Sequence, residues 1–218
     1  AHFVERYLKM IHRLMKMKLL YSATSPFVRK VSIVLIETGL SDRVETVPTN
    51  PWDPKTDLPA RNPIGKIPTL ISSQGVEIFD SSVICEFLDN LHFGPKMFPI
   101  DAESRITATQ LQSLADGMMD AAVLAFIENS RRPEDRRWGE WSDRQVAAIA
   151  RSLNWLEERY QTLNQTSDIG TISVACALDY LDFRFADHDW RRHHEHLTEW
   201  FEQFAQRESI RATIPVES

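Results

Sequence analysis

Two places in the 218-residue chain combine hydroxyl or carboxylate side chains with the start of a predicted helix. At the first place, three hydroxyl side chains precede Pro26, a residue type that favours the first position of a helix. They belong to Ser22, Thr24 and Ser25. At the second place, Asp80 and Ser81 stand between a predicted strand and a predicted helix. The first N–H groups of a helix can bind an anion, but these side chains can also simply cap the helix.

The elements that position these side chains can be read from hydrophobic periodicity and turn residues. In the N-terminal half, these patterns predict the order β-α-β, loop, β-β-α. The predicted strands cover residues 18–22, 43–47, 67–72 and 76–79, and the predicted helices cover residues 26–38 and 80–92. A helix joins the first two strands, so we expect them to be parallel. A tight turn joins the last two strands, which predicts an antiparallel pair.

The C-terminal half has no strand pattern and carries long helical runs instead. Residues 93–101 contain Gly and Pro and are predicted to be a linker. The amphipathic runs that follow cover residues 102–130, 142–164 and 194–207. Residues 168–186 are mostly apolar, which is typical of a buried central helix. We therefore predict an α/β domain over residues 17–92 and an all-helical domain over residues 102–218.

Residues 1–16 differ from the rest of the chain. They are basic and could form one amphipathic helix, which would also suit a targeting segment. However, this stretch has no serine and contains Glu5, and MKLLYS at Met17 resembles a natural start that leads into a strand. We interpret residues 1–16 as an extension from a tag or from the choice of start site.

Composition and scattered reactive residues argue against several classes of protein. The formal net charge is −6, whereas a nucleic-acid-binding protein needs a basic surface. No apolar run reaches the roughly 18 residues that a membrane-spanning helix requires. Cys85 and Cys176 lie in apolar runs, which favours buried thiols and a cytoplasmic location over a disulfide. In the RRHHEH segment only His193 and His196 share a helix face, so we expect no metal site.

Four sequence motifs occur together in this chain. They are SPFVRK, NPIGKIPTL, FDSSVI and TSDIGTISVACALDYLDF, in that order. This set resembles the cytosolic glutathione transferases, in particular small bacterial members that carry TSPFVRK and are of the serine type. The resemblance covers nearly the whole chain from Met17 onward. It implies a thioredoxin-like domain that binds glutathione, a helical domain, and a homodimer.

The resemblance implies a role for the residues around the second and third motifs. The Ile67–Pro68 bond is expected to be cis, and the backbone of Ile67 is expected to pair with the cysteinyl unit of glutathione. Ser81 and the helix N-terminus would hold the γ-glutamyl carboxylate, and Asp80 would pair with the ammonium group. The family usually has Glu at the position of Asp80, so this side chain is one methylene shorter. Two further side chains are candidates for the glycyl end, namely Lys66 and Trp52.

The reaction that the resemblance implies requires glutathione as a thiolate. A free thiol has a pKa of roughly 8.5, and a hydroxyl donating to the thiolate can lower it by about one to two units. Ser25 matches the cysteine of the CPF pattern in omega-like transferases, Ser22 the serine of zeta-like members, and Thr24 the serine of theta-like members. We prefer Ser25. Because a serine cannot form a mixed disulfide with glutathione, thiol transfer is the weaker interpretation.

Several other residues are candidates for the second-substrate pocket, for the ligand or for the fold. Met118, Met119 and Phe126, with Leu111 and Trp138, could line the pocket for the second substrate, although a Met-bearing stripe is often core. Asp116 could approach the ligand ammonium from the helical domain of the same chain or from the partner subunit. Asp168 and Thr171 fit the family's cap on the buried helix, but in exchanged order. Arg29 and Lys30 are expected to face solvent.

The sequence thus predicts a glutathione transferase that stabilises the glutathione thiolate for attack on a small electrophile, as in detoxification. Glutathione is a co-substrate, and no metal, nucleic acid or membrane is expected to take part. One alternative is a non-catalytic interaction module that keeps the fold. A second alternative is a weak glutathione-dependent peroxidase or thiol oxidoreductase. The identity of the electrophile does not follow from the sequence.

Overall fold

The computed structural model describes residues 16–163 and 167–216. The interpretation of residues 1–16 therefore concerns a segment that, apart from Lys16, lies outside the described residues. The chain forms two compact units that divide between Gly94 and Pro95. None of the described helices is both long enough and apolar enough to cross a membrane.

The first unit contains a four-stranded sheet in the order β2-β1-β3-β4. The strands are β1 (Met17–Tyr21), β2 (Val44–Pro48), β3 (Thr69–Ile71) and β4 (Glu77–Phe79). β1 pairs with β2 in parallel, whereas β3 is antiparallel to both β1 and β4. The parallel pair and the antiparallel pair predicted from the connections are therefore confirmed. β3 begins two residues later than predicted, after Pro68, which has no N–H group to donate to a neighbouring strand.

Three α-helices lie in the part of the first unit that the structure describes, residues 16–94. They are α1 (Pro26–Glu37), α2 (Leu58–Arg61) and α3 (Ser81–Asp89). α1 packs against α3 and buries an apolar face that includes Val31 and Val34. Arg29 and Lys30, which we expected to face solvent, are only 4% and 0% exposed. That expectation is wrong because the rest of the protein covers more of α1 than its apolar face. The polar positions beside that face, which hydrophobic periodicity predicts to be exposed, are therefore buried as well.

The second unit is helical. Its helices are α4 (Ala102–Phe126), α5 (Gly139–Glu158), α6 (Ile169–Arg184), α7 (Glu195–Phe204) and α8 (Glu208–Arg211). A π-helical turn, Ile127–Arg131, extends α4, and short 3₁₀ turns lie at Glu134–Arg136, Tyr160–Thr162 and Trp190–His193. α4 packs against both α5 and α6. α6 is buried on nearly every side, as its apolar sequence predicts.

The start of α6 is closed by a reciprocal pair of hydrogen bonds. The Thr171 N–H donates to the Asp168 carboxylate at 2.9 Å, and the Asp168 N–H donates to the Thr171 hydroxyl at 3.0 Å. The exchanged order of acid and hydroxyl therefore still forms a capping box, because each side chain can accept from the other residue's N–H group.

Gly170 allows α6 to approach α4 closely. A Cβ atom at this position would lie 2.6 Å from the Ala108 carbonyl oxygen and 2.9 Å from the Leu111 Cβ atom. Both distances are shorter than a van der Waals contact, and the atoms in the way are a backbone oxygen and the Cβ atom of a side chain. The contact between the two helices therefore depends on the missing side chain.

We predict that Gly170→Ala lowers the free energy of unfolding by about 1–3 kcal/mol, because overpacking forces the two helices apart. Gly117→Ala is the matched control, since Gly117 also lies in a helix but has no atom within 4 Å of the added Cβ. The control should be neutral or stabilising by up to about 1 kcal/mol, from its better helix propensity. Urea unfolding of both variants measures the difference, and an equal effect would contradict close helix packing as the cause.

Glu157, on α5, caps the start of α7. Its carboxylate accepts hydrogen bonds from the N–H groups of His196 (3.1 Å) and Leu197 (2.9 Å), and from His196 Nδ1 (2.7 Å). Burial raises the pKa of Glu157. The hydrogen bonds from Leu197 and His196 together lower the pKa by more than burial raises it, so the net pKa is below its ordinary value of 4.5. The ionised carboxylate is therefore the form that joins the two helices.

This geometry predicts a pH-dependent contribution to stability. A carboxyl group whose pKa is lowered by folding stabilises the protein above its unfolded pKa, and the stabilisation is lost as the pH falls through the folded pKa. Glu157→Gln should therefore lower the free energy of unfolding by about 1 kcal/mol at neutral pH, because the amide cannot accept at both positions. At a pH far below 4.5 the substitution should have a smaller effect.

The measurement is urea unfolding of wild type and variant as a function of pH. Glu158→Gln is the control, because Glu158 is the adjacent residue and its carboxylate is largely exposed. Its effect should stay within about 0.5 kcal/mol at every pH. A Glu157→Gln effect that does not depend on pH would rule out the ionised cap.

Candidate functional site

The strand register brings three of the predicted site segments to one edge of the sheet. Leu20 of β1 pairs with Thr69 of β3, and Thr69 pairs with Phe79 of β4. Because antiparallel partners advance in opposite directions, continuing these registers places Ser22 beside Ile67, and Pro68 beside Asp80. The segment after β2 reaches the same edge, since the Thr49 N–H donates to the Tyr21 carbonyl at 2.8 Å. We call this end of the sheet the ligand edge.

The hydroxyl groups before α1 differ in how they are used. Ser25 is the N-cap of α1, and its Oγ accepts from the Val28 N–H at 3.3 Å, a long hydrogen bond. Ser22 Oγ and Thr24 Oγ1 lie 3.2 Å apart and bond to each other. The Ser25 hydroxyl accepts without donating to any described residue, so its proton remains available for a bound group.

Asp80 and Ser81 form the start of α3 at the same edge. Asp80 has a φ angle of 39°, and its carboxylate accepts from the Ser82 N–H at 2.8 Å. Residues held at such unusual backbone angles concentrate at ligand sites. Ser81 is buried, and its hydroxyl bonds to no other residue in the described part of the chain. This hydroxyl and the first N–H groups of α3 form a site suited to a carboxylate.

The loop before β3 presents its backbone at the ligand edge. The Ile67–Pro68 bond is cis, as the resemblance implies. Within residues 16–163 and 167–216, no hydrogen bond uses the N–H or the carbonyl group of Ile67. Both groups can therefore pair with an extended peptide, as a neighbouring strand would. Lys66 and Trp52 are exposed in segments that reach the same edge.

The residues predicted to line a second pocket lie in the helical unit. Met118 and Met119 are only 2% and 0% exposed, so they are core side chains. A core role was the alternative to pocket lining that the sequence left open for this Met-bearing stripe. Leu111 is also buried. Phe126 and Asp116 are half-buried, and the Phe126 ring lies 4.4 Å from the Arg184 guanidinium carbon. The buried methionines cannot contact a substrate in this arrangement, whereas Phe126 and Asp116 retain accessible surface.

The histidines of the RRHHEH segment have structural partners. His196 bonds to Glu157 and stacks on Tyr160, while His194 contacts the Trp190 carbonyl and the Asn154 side chain. Among the described residues, no group of three or more His, Cys, Asp or Glu side chains is arranged to hold a metal ion.

Asn62, the first residue of the NPIGKIPTL motif, received no role in the sequence analysis, and it lies buried under the loop before β3. Its side chain donates to the Lys66 carbonyl at 2.8 Å and accepts from the Ile64 N–H at 3.0 Å. The second bond has a sequence signal, because Asn often bonds to the backbone two residues on in a turn, and here it precedes Pro63. The first bond has no such signal.

Known proteins resemble this chain in sequence and in fold. The protein-family model of the glutathione S-transferase N-terminal domain matches residues 24–91 of this chain. The uncharacterized GST-like protein YibF of Escherichia coli (strain K12) is 36% identical over 202 residues, which cover 91% of this chain and 98% of YibF.

Two solved structures are also similar over most of their length. One is a glutathione transferase family member from Pseudomonas fluorescens Pf-5 with bound glutathione, at 41% identity and a TM-score of 0.88, covering 93% of this chain and 100% of that one. The other is a glutathione S-transferase from Methylobacillus flagellatus KT with glutathione bound, at 34% identity and a TM-score of 0.86, covering 92% and 100%. The thioredoxin-like fold of the first unit, the helical second unit and these similarities together show that the chain belongs to the glutathione S-transferase family.

Proposed function

We propose that this protein binds glutathione at the ligand edge and transfers its thiolate to a small electrophile. The observation that carries the proposal is the strand register, which assembles the start of α1, the backbone of Ile67 and the start of α3 at one place. The relatives from P. fluorescens and M. flagellatus, crystallised with glutathione, support the choice of ligand.

Each part of glutathione has a chemical match at this edge. The cysteinyl unit pairs with the unused N–H and carbonyl groups of Ile67. The γ-glutamyl carboxylate accepts from the Ser81 hydroxyl and the N–H groups of α3, and its ammonium group faces Asp80. Lys66 and Trp52 serve the glycyl end, where the ammonium of Lys66 attracts the terminal carboxylate. Only one Asp80 carboxylate oxygen is used in capping α3, so the other can bind the ammonium group.

The thiolate is stabilised by the Ser25 hydroxyl. Ser25 keeps its proton for donation, whereas in the Ser22–Thr24 pair one hydroxyl donates to the other and only the accepting one keeps its proton. The positive end of the α1 dipole adds about 0.3–1 kcal/mol to the same effect. The thiolate sulfur then forms a bond to the electrophilic carbon while a leaving group departs with its electron pair, or while an adjacent carbon takes up a proton.

Ser25 and the buried cysteines argue against thiol exchange. A disulfide oxidoreductase needs an accessible thiolate that attacks the sulfur of a disulfide. Cys85 and Cys176, the only cysteines in the chain, are both buried, so neither offers such a thiolate. Transfer to an electrophile needs only the thiolate of glutathione itself.

We also propose that the active form is a cytoplasmic homodimer that serves in detoxification, as the family resemblance implies. The first unit exposes apolar side chains, including Val76 and Val83, which a second copy could cover. Sedimentation equilibrium at micromolar concentration tests this part, and a monomer at all concentrations would exclude it.

We predict that Ser25→Ala raises the pKa of the bound glutathione thiol by about one unit, because one charge-assisted hydrogen bond is lost. Ultraviolet absorbance of the thiolate measures this pKa, with glutathione affinity determined by calorimetry. Ser32→Ala is the control, since its hydroxyl donates to a backbone carbonyl on the same helix. An unchanged pKa with intact binding would transfer the role to Ser22 or Thr24.

We predict that Ser81→Ala weakens glutathione binding about tenfold, because the carboxylate loses a hydrogen-bond donor worth about 1.5 kcal/mol. Calorimetry measures the dissociation constant. Ser82→Ala, the same change one residue along α3, should leave it within a factor of about two. If the wild type does not bind glutathione, the enzyme hypothesis fails and the interaction module becomes the better interpretation.

A further inference from the structure

Asn62 and Thr69 hold one carbonyl group beneath the loop that precedes β3. The Asn62 Nδ2 atom donates to the Lys66 carbonyl oxygen at 2.8 Å, and the Thr69 hydroxyl donates to the same oxygen at 3.1 Å. Asn62 is 2% exposed and Thr69 is 0% exposed. Two buried side chains, one on either side of the loop in sequence, therefore share this single acceptor.

The orientation of the Asn62 amide is determined by its partners. The Lys66 carbonyl can only accept a hydrogen bond, and the Ile64 N–H, 3.0 Å from Asn62 Oδ1, can only donate one. A flipped amide would place donor against donor and acceptor against acceptor. The Asn62 backbone also takes part, since its N–H donates to Leu58 and its carbonyl accepts from Gly65. The whole turn is therefore tied to α2 through this residue.

The consequence for the ligand edge follows from peptide geometry. The Lys66 carbonyl and the Ile67 N–H belong to one rigid, planar trans peptide unit, in which the two groups point in opposite directions. When Asn62 and Thr69 hold the carbonyl inward, the Ile67 N–H is turned outward. This N–H bonds to nothing else among residues 16–163 and 167–216, and it is the group expected to pair with glutathione.

We infer that Asn62 and Thr69 are positioning residues for glutathione, acting through the Lys66–Ile67 peptide. This inference rests on the proposed function. Neither side chain needs to touch the ligand, because the buried hydrogen bonds orient the backbone group before glutathione arrives. Pre-organisation of this kind increases affinity by removing the cost of ordering the site during binding. Without the two donors, the peptide can rotate and its carbonyl can compete for the ligand position.

The test compares two threonine substitutions that remove the same group. Thr69→Val deletes the hydroxyl that donates to the Lys66 carbonyl and accepts from Asn62 Nδ2 at 3.2 Å, whereas Thr38→Val deletes one that donates to the Val34 carbonyl at the end of α1. Both belong to the first unit, and valine keeps the shape of threonine. Thr69→Val should weaken glutathione binding by a factor of about five, and Thr38→Val should leave the dissociation constant unchanged. Calorimetry measures binding, and urea unfolding measures stability.

Asn62→Ala removes the stronger donor and should weaken binding at least about tenfold. If this variant does not fold, the two threonine variants still decide the question. A merely structural role would lower the free energy of unfolding of Thr69→Val without changing its dissociation constant for glutathione. That result overturns the inference but leaves the proposed function intact, provided that Ser81→Ala still weakens binding. A wild type that does not bind glutathione overturns both.

Discussion

The pairing of β3 with β1 and β4 is the constraint on which the candidate site depends. β3 has only three residues, but its two registers decide which groups meet at the ligand edge. A slip of one residue would turn every side chain of β3 to the opposite face and move Ile67 along the edge. Pro68 ends the strand on its N-terminal side, so the backbone just before it is left for a ligand rather than for β1 or β4.

Several groups at the ligand edge serve the fold and the proposed ligand at the same time. Ser25 accepts from Val28 to cap α1 and keeps its own proton. Asp80 uses one carboxylate oxygen to cap α3 and keeps the other. Capping and binding are therefore not competing interpretations here, because each side chain has more hydrogen-bonding capacity than the helix start consumes. The helix starts hold these groups in place before any ligand binds.

The helical unit is held by contacts that involve no ligand. Gly170 permits a close approach of α6 to α4, the Asp168–Thr171 pair closes the start of α6, and Glu157 joins α5 to α7. The two methionines that could have lined a pocket belong to this packed interior. In this unit Phe126 and Asp116 remain candidates for contact with a second substrate, because both keep accessible surface.

The sequence by itself determined the order of the elements, the directions of the β1–β2 and β3–β4 pairs and the family, because periodicity, turn residues and motifs are local properties, whereas the pairing of β1 with β3 came from the tertiary structure. It also singled out Ser25, Asp80 and Ser81, which stand beside helix starts. Only the tertiary structure decided that Lys30 is buried, since burial depends on elements distant in sequence. The same holds for the contact of Glu157 with His196, 39 residues away, and for the donation from Asn62 to the Lys66 carbonyl, which requires the loop to fold back on itself.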